Sequence, residues 1–451
     1  MGGEKKTVLV RVSKIFHFLI TTVLFAYIWG RFLQDHHIEI ANRYQVLVCL
    51  GYAFLLYFFC RIYDAYLIEY SRMADIVFSL NLSSAISVVL AYAAIMIAWK
   101  KYYPPKYFII LLAVQIVFNV LWTIAAAKVY YAYNKPAKTL LVYRSKADLA
   151  RLNEVDRFAK KYKVERRLEN PSSYEEVVDA IGECEIVFLA GINADIRNSV
   201  AKYCMETGVQ GFFLPHVGDI ILMGGSHVRA FSVPIIGLQN TGDYPEYLFL
   251  KRITDILLSL IAIIILSPLL LAAALAVKLY DHGPVLYQQV RLTKGGKEFK
   301  IYKFRSMCPD AEKDGVARLS SGKDDERITP VGKVLRACRL DELPQLFNIF
   351  KGDMTIVGPR PERPEIAAEY ARVMPAFHLR LKVKAGLTGY AQVYGKYNTD
   401  PYDKLEMDLI YINKMNPLMD IQLMFATVRT LFRKESTEGI DKGGTTAMKE
   451  E

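Results

Sequence analysis

Two adjacent acidic residues, Asp341 and Glu342, stand in a setting that could carry phosphate chemistry. Arg336 and Arg339 lie just upstream, and Pro344 follows two positions later. Proline is tolerated in the first turn of a helix, so we predict that a helix begins at about Asp341 or Glu342. Successive helical residues point roughly 100° apart, so the two carboxylates can address different partners. The plainer alternative is an ordinary N-cap followed by a first-turn acid.

The chemistry open to this pair is attack on phosphorus, because a carboxylate can form an acyl phosphate that divides one difficult transfer into two easier steps. The obstacle is repulsion between the carboxylate and a diphosphate. Cations relieve it, either as Mg²⁺ held by one carboxylate or as guanidinium groups that bind phosphate oxygens in pairs. The amino end of a helix also favours an anion.

Basic residues that could serve this purpose occur in two further places. Lys303 and Arg305 stand two positions apart, and Arg360 lies between two prolines. The prolines restrict the backbone on either side of Arg360, which lowers the entropy cost of aiming its guanidinium. Taken alone, such a proline-flanked string is most simply a turn. With the acidic pair, it predicts that Lys303, Arg305, Arg336 and Arg360 bind substrate phosphates.

Five short strings follow one another from residue 303 onward: KFRSM, RLDELPQL, NIFKGDM, IVGPRP and KAGLTGYAQVYG. This order resembles the bacterial sugar transferase family, the monotopic phosphoglycosyl transferases, over about residues 251–434. The resemblance implies an enzyme that moves a hexose 1-phosphate from a UDP-sugar to undecaprenyl phosphate and releases UMP. UDP-glucose or UDP-galactose is the expected donor. The segments before residue 251 resemble those of the long family members that begin exopolysaccharide or capsule synthesis.

The resemblance also implies a role for each residue of the site. Asp341 falls on the catalytic aspartate that attacks the β-phosphate, and Glu342 falls on the neighbouring glutamate associated with Mg²⁺. Lys303, Arg336 and Arg360 fall on basic positions around the phosphates. Two alternatives stay open. Asp341 could act as a base in a direct transfer, or the chain could be a membrane-anchored regulatory or scaffold protein without transferase activity.

Four long apolar runs, at residues 15–33, 45–60, 76–99 and 107–127, precede these motifs. Each is close to the ~20 residues that a helix needs to cross the hydrocarbon layer, so we predict a four-helix transmembrane bundle over residues 1–134. Basic residues flank the first run on its amino side and the fourth on its carboxyl side. They place that side in the cytoplasm of a bacterial plasma (inner) membrane, although lysines between the third and fourth runs dissent.

Strand-like and helix-like segments alternate over residues 135–245, which predicts a small Rossmann-like α/β domain. The turn after its first strand reads Arg144, Ser145, Lys146. It has no glycine to let the backbone approach a pyrophosphate. A regulatory or dimerising module is therefore favoured over cofactor binding, and a homodimer formed through this domain is a hypothesis.

The catalytic α/β domain is predicted over residues 246–436, anchored by an apolar segment at 253–279 with Ser267 and Pro268 at its centre. Proline kinks or breaks a helix, and both flanks are basic, so we predict a re-entrant helix that enters and leaves the bilayer on the cytoplasmic side. The alternative, a kinked fifth span, would place the following chain outside. The family resemblance favours the re-entrant form. The polar tail, residues 437–451, is expected to be disordered.

Composition narrows the class of protein further. The chain is 53% hydrophobic, with the apolar residues in blocks, and its net charge of +11 favours anionic partners. Much of that charge flanks apolar runs and no recognition motif for nucleic acid occurs, so a lipid bilayer is the expected partner. The six cysteines show no CxxC spacing, which indicates unpaired thiols. Residues 324–326 are acidic and form either another Mg²⁺ site or, more simply, a solvated loop. The predicted fold class is a membrane protein, α plus α/β.

Overall fold

The computed structural model describes residues 2–68, 71–228, 235–238, 245–308, 327–395 and 399–431. The predicted acidic loop at 324–326 and the predicted tail at 437–451 lie outside these residues. The chain divides into two compact units, Met1–Leu214 and Pro215–Glu451.

The first unit begins with four long helices. They are α1 (Gly2–Asp35), α2 (Asn42–Ile62), α3 (Met73–Trp99) and α4 (Lys106–Tyr133). Each predicted apolar run lies inside one of them, and each helix is long and apolar enough to cross a membrane. The prediction of an apolar four-helix bundle is confirmed.

The interior of the bundle mixes aromatic and polar side chains. Phe25 and Tyr52 stack with their ring centroids 3.9 Å apart. His17 Nδ1 lies 2.9 Å from the Tyr66 hydroxyl, and its Nε2 lies 2.9 Å from Asn119 Oδ1. Polar contacts between helices hold a bundle together where the surroundings are as apolar as the core, so these contacts specify which helix faces meet.

A parallel sheet with flanking helices completes the first unit. Its elements are β1 (Ala137–Tyr143), α5 (Lys146–Arg157), β2 (Tyr162–Glu169), α6 (Tyr174–Ile181), β3 (Ile186–Ala190), α7 (Ala194–Thr207) and β4 (Gln210–Phe213). The strand order is β2-β1-β3-β4, and every pairing is parallel. Leu140, Leu141 and Val142 of β1 are fully buried, as expected for a strand covered on both faces. The predicted alternation of strand and helix is confirmed.

The turn between β1 and α5 is closed by a carboxylate of the same turn. Ser145 donates its hydroxyl and its amide to Asp148 Oδ2, at 2.8 and 3.2 Å, in a capping box. Gly191, with a φ of 70°, passes so close to this carboxylate that a Cβ would overlap it. Asp148 therefore lies where nucleotide-binding sheets of this kind receive a phosphate.

Lys161 joins the sheet to the bundle within the first unit. Its side chain is buried, and Nζ donates to the main-chain oxygens of Ile68 and Ser71, at 3.0 and 3.3 Å. Both carbonyls lie in the connection that follows α2. The ammonium thus anchors the connection between two membrane helices to the α/β layer.

The second unit contains the predicted catalytic domain. Its elements are α8 (Val217–Met223), β5 (Ser226–Val228), β6 (Ile235–Gly237), α9 (Pro245–Asp281), β7 (Leu286–Leu292), β8 (Glu298–Phe304), α10 (Pro330–Ala337), α11 (Gln345–Lys351), β9 (Thr355–Val357), α12 (Pro364–Val373), β10 (Gly386–Thr388), α13 (Tyr390–Tyr394), α14 (Pro401–Lys414) and α15 (Pro417–Leu431). The pairs β5–β6 and β7–β8 are antiparallel, and β9–β10 is parallel.

The boundary between the units lies before α8 rather than at residue 245, where the predicted α/β domain ended. Ile220 of α8 is buried in the largest apolar cluster of the second unit, and its carbonyl accepts a 2.7 Å hydrogen bond from Asn413 Nδ2 of α14. Helix α8 thus packs within the second unit.

Helix α9 is the fifth helix long and apolar enough to span a membrane, among the described residues. It continues without a break through Ser267 and Pro268, where we predicted a kink or break. Proline leaves the carbonyl four residues back, that of Ile264, without its usual amide donor. The Ser267 hydroxyl donates to that carbonyl at 2.8 Å, which compensates the loss.

Candidate active site

The acidic pair lies in a short 3₁₀ turn, Leu340–Glu342, and not in the first turn of an α-helix as predicted. Arg339, with a φ of 57°, turns the chain into it, and Pro344 directly precedes α11. The α-helix therefore begins three to four residues later than predicted, because Pro344 has no amide to donate to the carbonyl of Leu340 and so keeps the 3₁₀ turn apart from α11.

Glu342 accepts hydrogen bonds from two of the predicted cations. Its Oε1 accepts from Lys303 Nζ at 3.0 Å and from Arg360 Nη2 at 2.8 Å. Burial alone would raise the pKa of Glu342, but Arg360 and Lys303 hold it well below its usual range. Burial in turn lowers the pKa of Lys303, while Glu342 opposes that shift. Strand β8, the 3₁₀ turn and the loop after β9 thus meet at one carboxylate that stays charged at neutral pH.

Asp341 is buried, at 8% exposure. Across the described ranges it makes no hydrogen bond or ion pair. Burial raises the pKa of Asp341 and the charge of Glu342 raises it further, against the opposing effect of Lys303 and Arg336. A buried carboxylate without a partner is unusual and is available to a substrate.

Arg336 ends α10 on the side of Asp341. Its Nη1 is buried and has no hydrogen-bond partner within the part of the chain that the structure describes. Buried guanidinium donors rarely stay unsatisfied, so this atom is a place for an anion to bind. The predicted phosphate role of Arg336 is compatible with this geometry.

Arg305 stands apart from the other predicted cations. It is buried, pairs with Asp281 at the end of α9, and donates from Nε to Pro284 O at 2.8 Å. Gly283 lies against the guanidinium, where a Cβ would come within 2.7 Å of Nη1. The structure brings together Lys303, Glu342 and Arg360, whereas Arg305 secures the end of α9.

Binding of Mg²⁺ at this site would depend on its carboxylates. The described residues contain no group of three or more His, Cys, Asp or Glu side chains that could hold a metal alone. Mg²⁺ in phosphate chemistry usually takes one or two carboxylates and completes its octahedron with substrate phosphates and water. Glu342 supplies one such carboxylate, so the residues fit a cation that arrives with a diphosphate.

Comparison with known proteins identifies the family. The profile described as bacterial sugar transferase matches residues 246–434. The exopolysaccharide production protein PSS of Rhizobium leguminosarum bv. phaseoli is 42% identical over 190 residues, which are 40% of this chain and 94% of that protein. This chain belongs to the bacterial sugar transferase family.

Two longer relatives match part of this sugar transferase. A UDP-N-acetylgalactosamine-undecaprenyl-phosphate N-acetylgalactosaminephosphotransferase of Aeromonas hydrophila is 45% identical over 190 residues, 42% of this chain and 44% of the relative. A UDP-glucose:undecaprenyl-phosphate glucose-1-phosphate transferase of Klebsiella pneumoniae is 37% identical over 238 residues, 52% of this chain and 50% of the relative. The chain thus spans about half the length of these relatives.

The sequence analysis did not identify a group of charged residues that pair with one another near the loop carrying Arg360 in this sugar transferase. Arg380 and Asp408, both buried, form an ion pair at 2.7 Å, and Arg380 lies 3.4 Å from Glu362. Arg291 of β7 approaches Glu362 from another side, at 3.9 Å. These residues belong to no short motif, and only the fold brings them together. A cavity of about 230 Å³ adjoins them, lined by Arg360, Glu362, Arg380 and the apolar faces of α12 and its neighbours.

Proposed function

We propose that the chain transfers a hexose 1-phosphate from a UDP-sugar to undecaprenyl phosphate, through a covalent aspartyl phosphosugar on Asp341. The observation that carries the proposal is the contrast within the acidic pair. Glu342 is neutralised by Lys303 and Arg360, whereas Asp341 is buried and has no partner among the described residues. The names of the Aeromonas and Klebsiella relatives describe transfers of this class.

In the first step an Asp341 carboxylate oxygen attacks the β-phosphorus of the UDP-sugar. The bond from that phosphorus to the bridging oxygen breaks, and the oxygen leaves with UMP. Lys303, Arg336 and Arg360 offset the charge that the carboxylate and the diphosphate bring together. In the second step a phosphate oxygen of undecaprenyl phosphate attacks the same phosphorus and releases the Asp341 carboxylate. The product is undecaprenyl diphosphate-sugar.

Mg²⁺ bound by Glu342, when present, would neutralise diphosphate charge and favour departure of UMP. Glu342 has one carboxylate oxygen committed to Lys303 and Arg360, which leaves the other for the cation. Lys303 and Arg360 orient the glutamate for this purpose. The metal role rests on the donor set described above and on the family resemblance.

We further propose that α9 is re-entrant and that the catalytic unit lies on the cytoplasmic face of the plasma membrane. Near its start, Arg252 donates to Ile349 O and Phe350 O, at 2.7 and 2.8 Å. At its end, Asp281 pairs with Arg305. Contact of both ends with one domain supports a helix that does not cross the bilayer. Single cysteines at positions 246 and 282 should react with an impermeant reagent from the same membrane side; reaction from opposite sides would establish a fifth span.

The α/β domain of the first unit is proposed as a Rossmann-like regulatory or dimerising module. The carboxylate of Asp148, at the end of β1, argues against dinucleotide binding there. A homodimer formed through this domain predicts twice the monomer mass in nanodiscs. A monomer mass at every protein concentration would exclude it.

The deciding experiment separates the two half-reactions. Labelled UMP is incubated with a UDP-sugar, Mg²⁺ and enzyme in the absence of lipid, and label in the UDP-sugar is measured. Exchange by wild type, and none by Asp341→Asn, is expected for a covalent route. UMP release only when undecaprenyl phosphate is present would favour direct transfer with Asp341 as base. Donors should include UDP-glucose, UDP-galactose and their N-acetyl forms, since the relatives' names differ in sugar. No release from any donor would favour the scaffold alternative.

A further inference from the structure

The loop that carries Arg360 is held in place from outside. Its flanking residues, Pro359 and Pro361, have no amide donor, so the loop cannot fix itself by its own hydrogen bonds. Arg380 Nη2 donates to Arg360 O at 2.9 Å, and Arg291 Nη1 donates to Pro361 O at 3.0 Å. Two guanidinium groups thus hold consecutive carbonyls of the loop.

Arg380 is itself rigidly placed. Its side chain is 4% exposed, and Nε and Nη2 donate to Asp408 Oδ2 at 3.0 and 2.7 Å. The third nitrogen, Nη1, lies 3.4 Å from Glu362 Oε1, one residue beyond Pro361. All three nitrogens of the planar fork are therefore used: Nε and Nη2 on Asp408, Nη1 on Glu362, and Nη2 also on Arg360 O.

We propose that Arg380, fixed by Asp408, is a positioning residue that aims Arg360 at the substrate diphosphate. The inference rests on the proposed function. Arg380 acts through the Arg360 main chain, and Arg360 in turn contacts Glu342 through its side chain. A buried ion pair is a weak source of stability, and apolar residues of similar size often serve as well. Arg380 contacts Asp408, Glu362 and the Arg360 carbonyl at once, which indicates that it orients the loop.

The first test is Arg380→Lys, which keeps the charge but loses the planar fork. We expect kcat of UMP exchange to fall roughly 10- to 100-fold, because misplacing a catalytic group by about 1 Å can cost that much, while KM for the UDP-sugar changes less than about 3-fold. The matched control is Arg252→Lys, another guanidinium that donates to two main-chain carbonyls of the same unit. Equal kcat losses in both variants would contradict a specific role for Arg380.

A double-mutant cycle separates positioning from general destabilisation. If Arg380 acts through Arg360, adding Arg380→Lys to Arg360→Lys should cost less than about 2-fold further. Adding Arg252→Lys to Arg360→Lys should multiply the two separate losses. A full multiplicative loss from Arg380→Lys in the Arg360→Lys background would overturn the proposal. Asp408→Asn, which keeps an acceptor oxygen, should reproduce the Arg380→Lys behaviour in weaker form.

A readout without catalysis keeps the two proposals distinct. Hydrogen exchange of the peptide that spans residues 355–363 should quicken in Arg380→Lys and stay unchanged in Arg252→Lys, at equal thermal midpoints. If wild type exchanges no UMP, the proposed function fails, while this measurement still decides whether Arg380 holds the loop. Unchanged exchange in Arg380→Lys would refute the positioning role even in an active enzyme.

Discussion

Lys303 Nζ and Arg360 Nη2 converge on a single oxygen of Glu342. The two cations come from a strand and from a loop 57 residues later, so the glutamate brings together the two cations proposed to bind phosphate. Its charge offsets their mutual repulsion.

Replacing Glu342 with glutamine should disperse this cluster. We expect UMP exchange to fall about 10²-fold or more, as for loss of one preorganised charge at an active site. Unfolding free energy should fall by only about 1 kcal/mol, because Lys303 and Arg360 keep partial access to solvent, at 20% and 41% exposure. Exchange assays and thermal unfolding measure the two effects. Retention of half the activity by Glu342→Gln would refute this organising role.

Cys338 offers a probe of substrate binding. It is exposed at the end of α10, between Arg336 and Arg339, whereas Cys184 and Cys204 are buried and burial raises the pKa of both thiols. Iodoacetamide should therefore modify Cys338 quickly and the two buried cysteines slowly, since the thiolate is the reactive form.

A UDP-sugar with Mg²⁺ should slow alkylation of Cys338, as followed by mass spectrometry of its peptide. Cys308 is also exposed and provides the reference thiol. Equal protection of Cys308 and Cys338 would indicate a general effect. No protection of Cys338 would place the diphosphate away from Arg336.

Ser267 and Pro268 should be energetically coupled. Ser267→Ala leaves Ile264 O without a donor in an apolar setting, which should cost about 1–2 kcal/mol. In a Pro268→Ala background the restored amide can bond that carbonyl, so the same change should cost almost nothing. Unfolding in mixed micelles measures the four variants. Equal costs in both backgrounds would contradict the compensation.

Lys161 should fasten the α/β layer to the bundle. Lys161→Met keeps the apolar stem but removes the bonds to Ile68 O and Ser71 O, and should cost about 1 kcal/mol or more. Proteolysis between α4 and β1, at residues 134–136, should accelerate. Lys202→Met, at an exposed position of α7, is the control and should change neither quantity. Similar behaviour of both variants would argue against the anchor.

Local patterns predicted the framework well, because the signals are local. A run of about 20 apolar residues fixes the need for a helix, and strand–helix alternation fixes a layered α/β unit. The motif strings also selected Lys303, Glu342 and Arg360, which the fold brings into contact. The motifs were sufficient to select these residues, because each motif presents its side chain from one short element.

Long-range pairing was beyond the same reasoning. Arg305 shares a motif with Lys303, yet the strand ends at Phe304 and the next side chain turns to Asp281. Arg380 and Asp408 carry no motif, and only the packing of α14 brings them together. A charged side chain reveals its partner only when the tertiary fold is known.

Helix α15 shows a related limit of periodicity. In the sequence, a stripe of apolar residues at helical spacing predicts an amphipathic helix that faces either a membrane surface or the domain core: Leu418, Ile421, Phe425, Val428 and Phe432. The side chains that are buried instead are Asp420, Leu423, Ala426 and Arg429. Two of these are charged, so a hydrophobic pattern could not select that face. Asp420 is held there by Lys251, Tyr247 and Tyr411.

The capping box of Asp148 has a consequence for any ligand of the α/β domain. An anion that binds at the end of β1 would compete with the Asp148 carboxylate. Because this carboxylate is part of the same chain, its effective concentration there is about millimolar or higher. Free nucleotides would have to displace the Asp148 carboxylate and take over its hydrogen bond from the Ser145 amide. The Asp148 carboxylate therefore occupies the anion position at the end of β1, and we expect a ligand of this domain to bind at another surface.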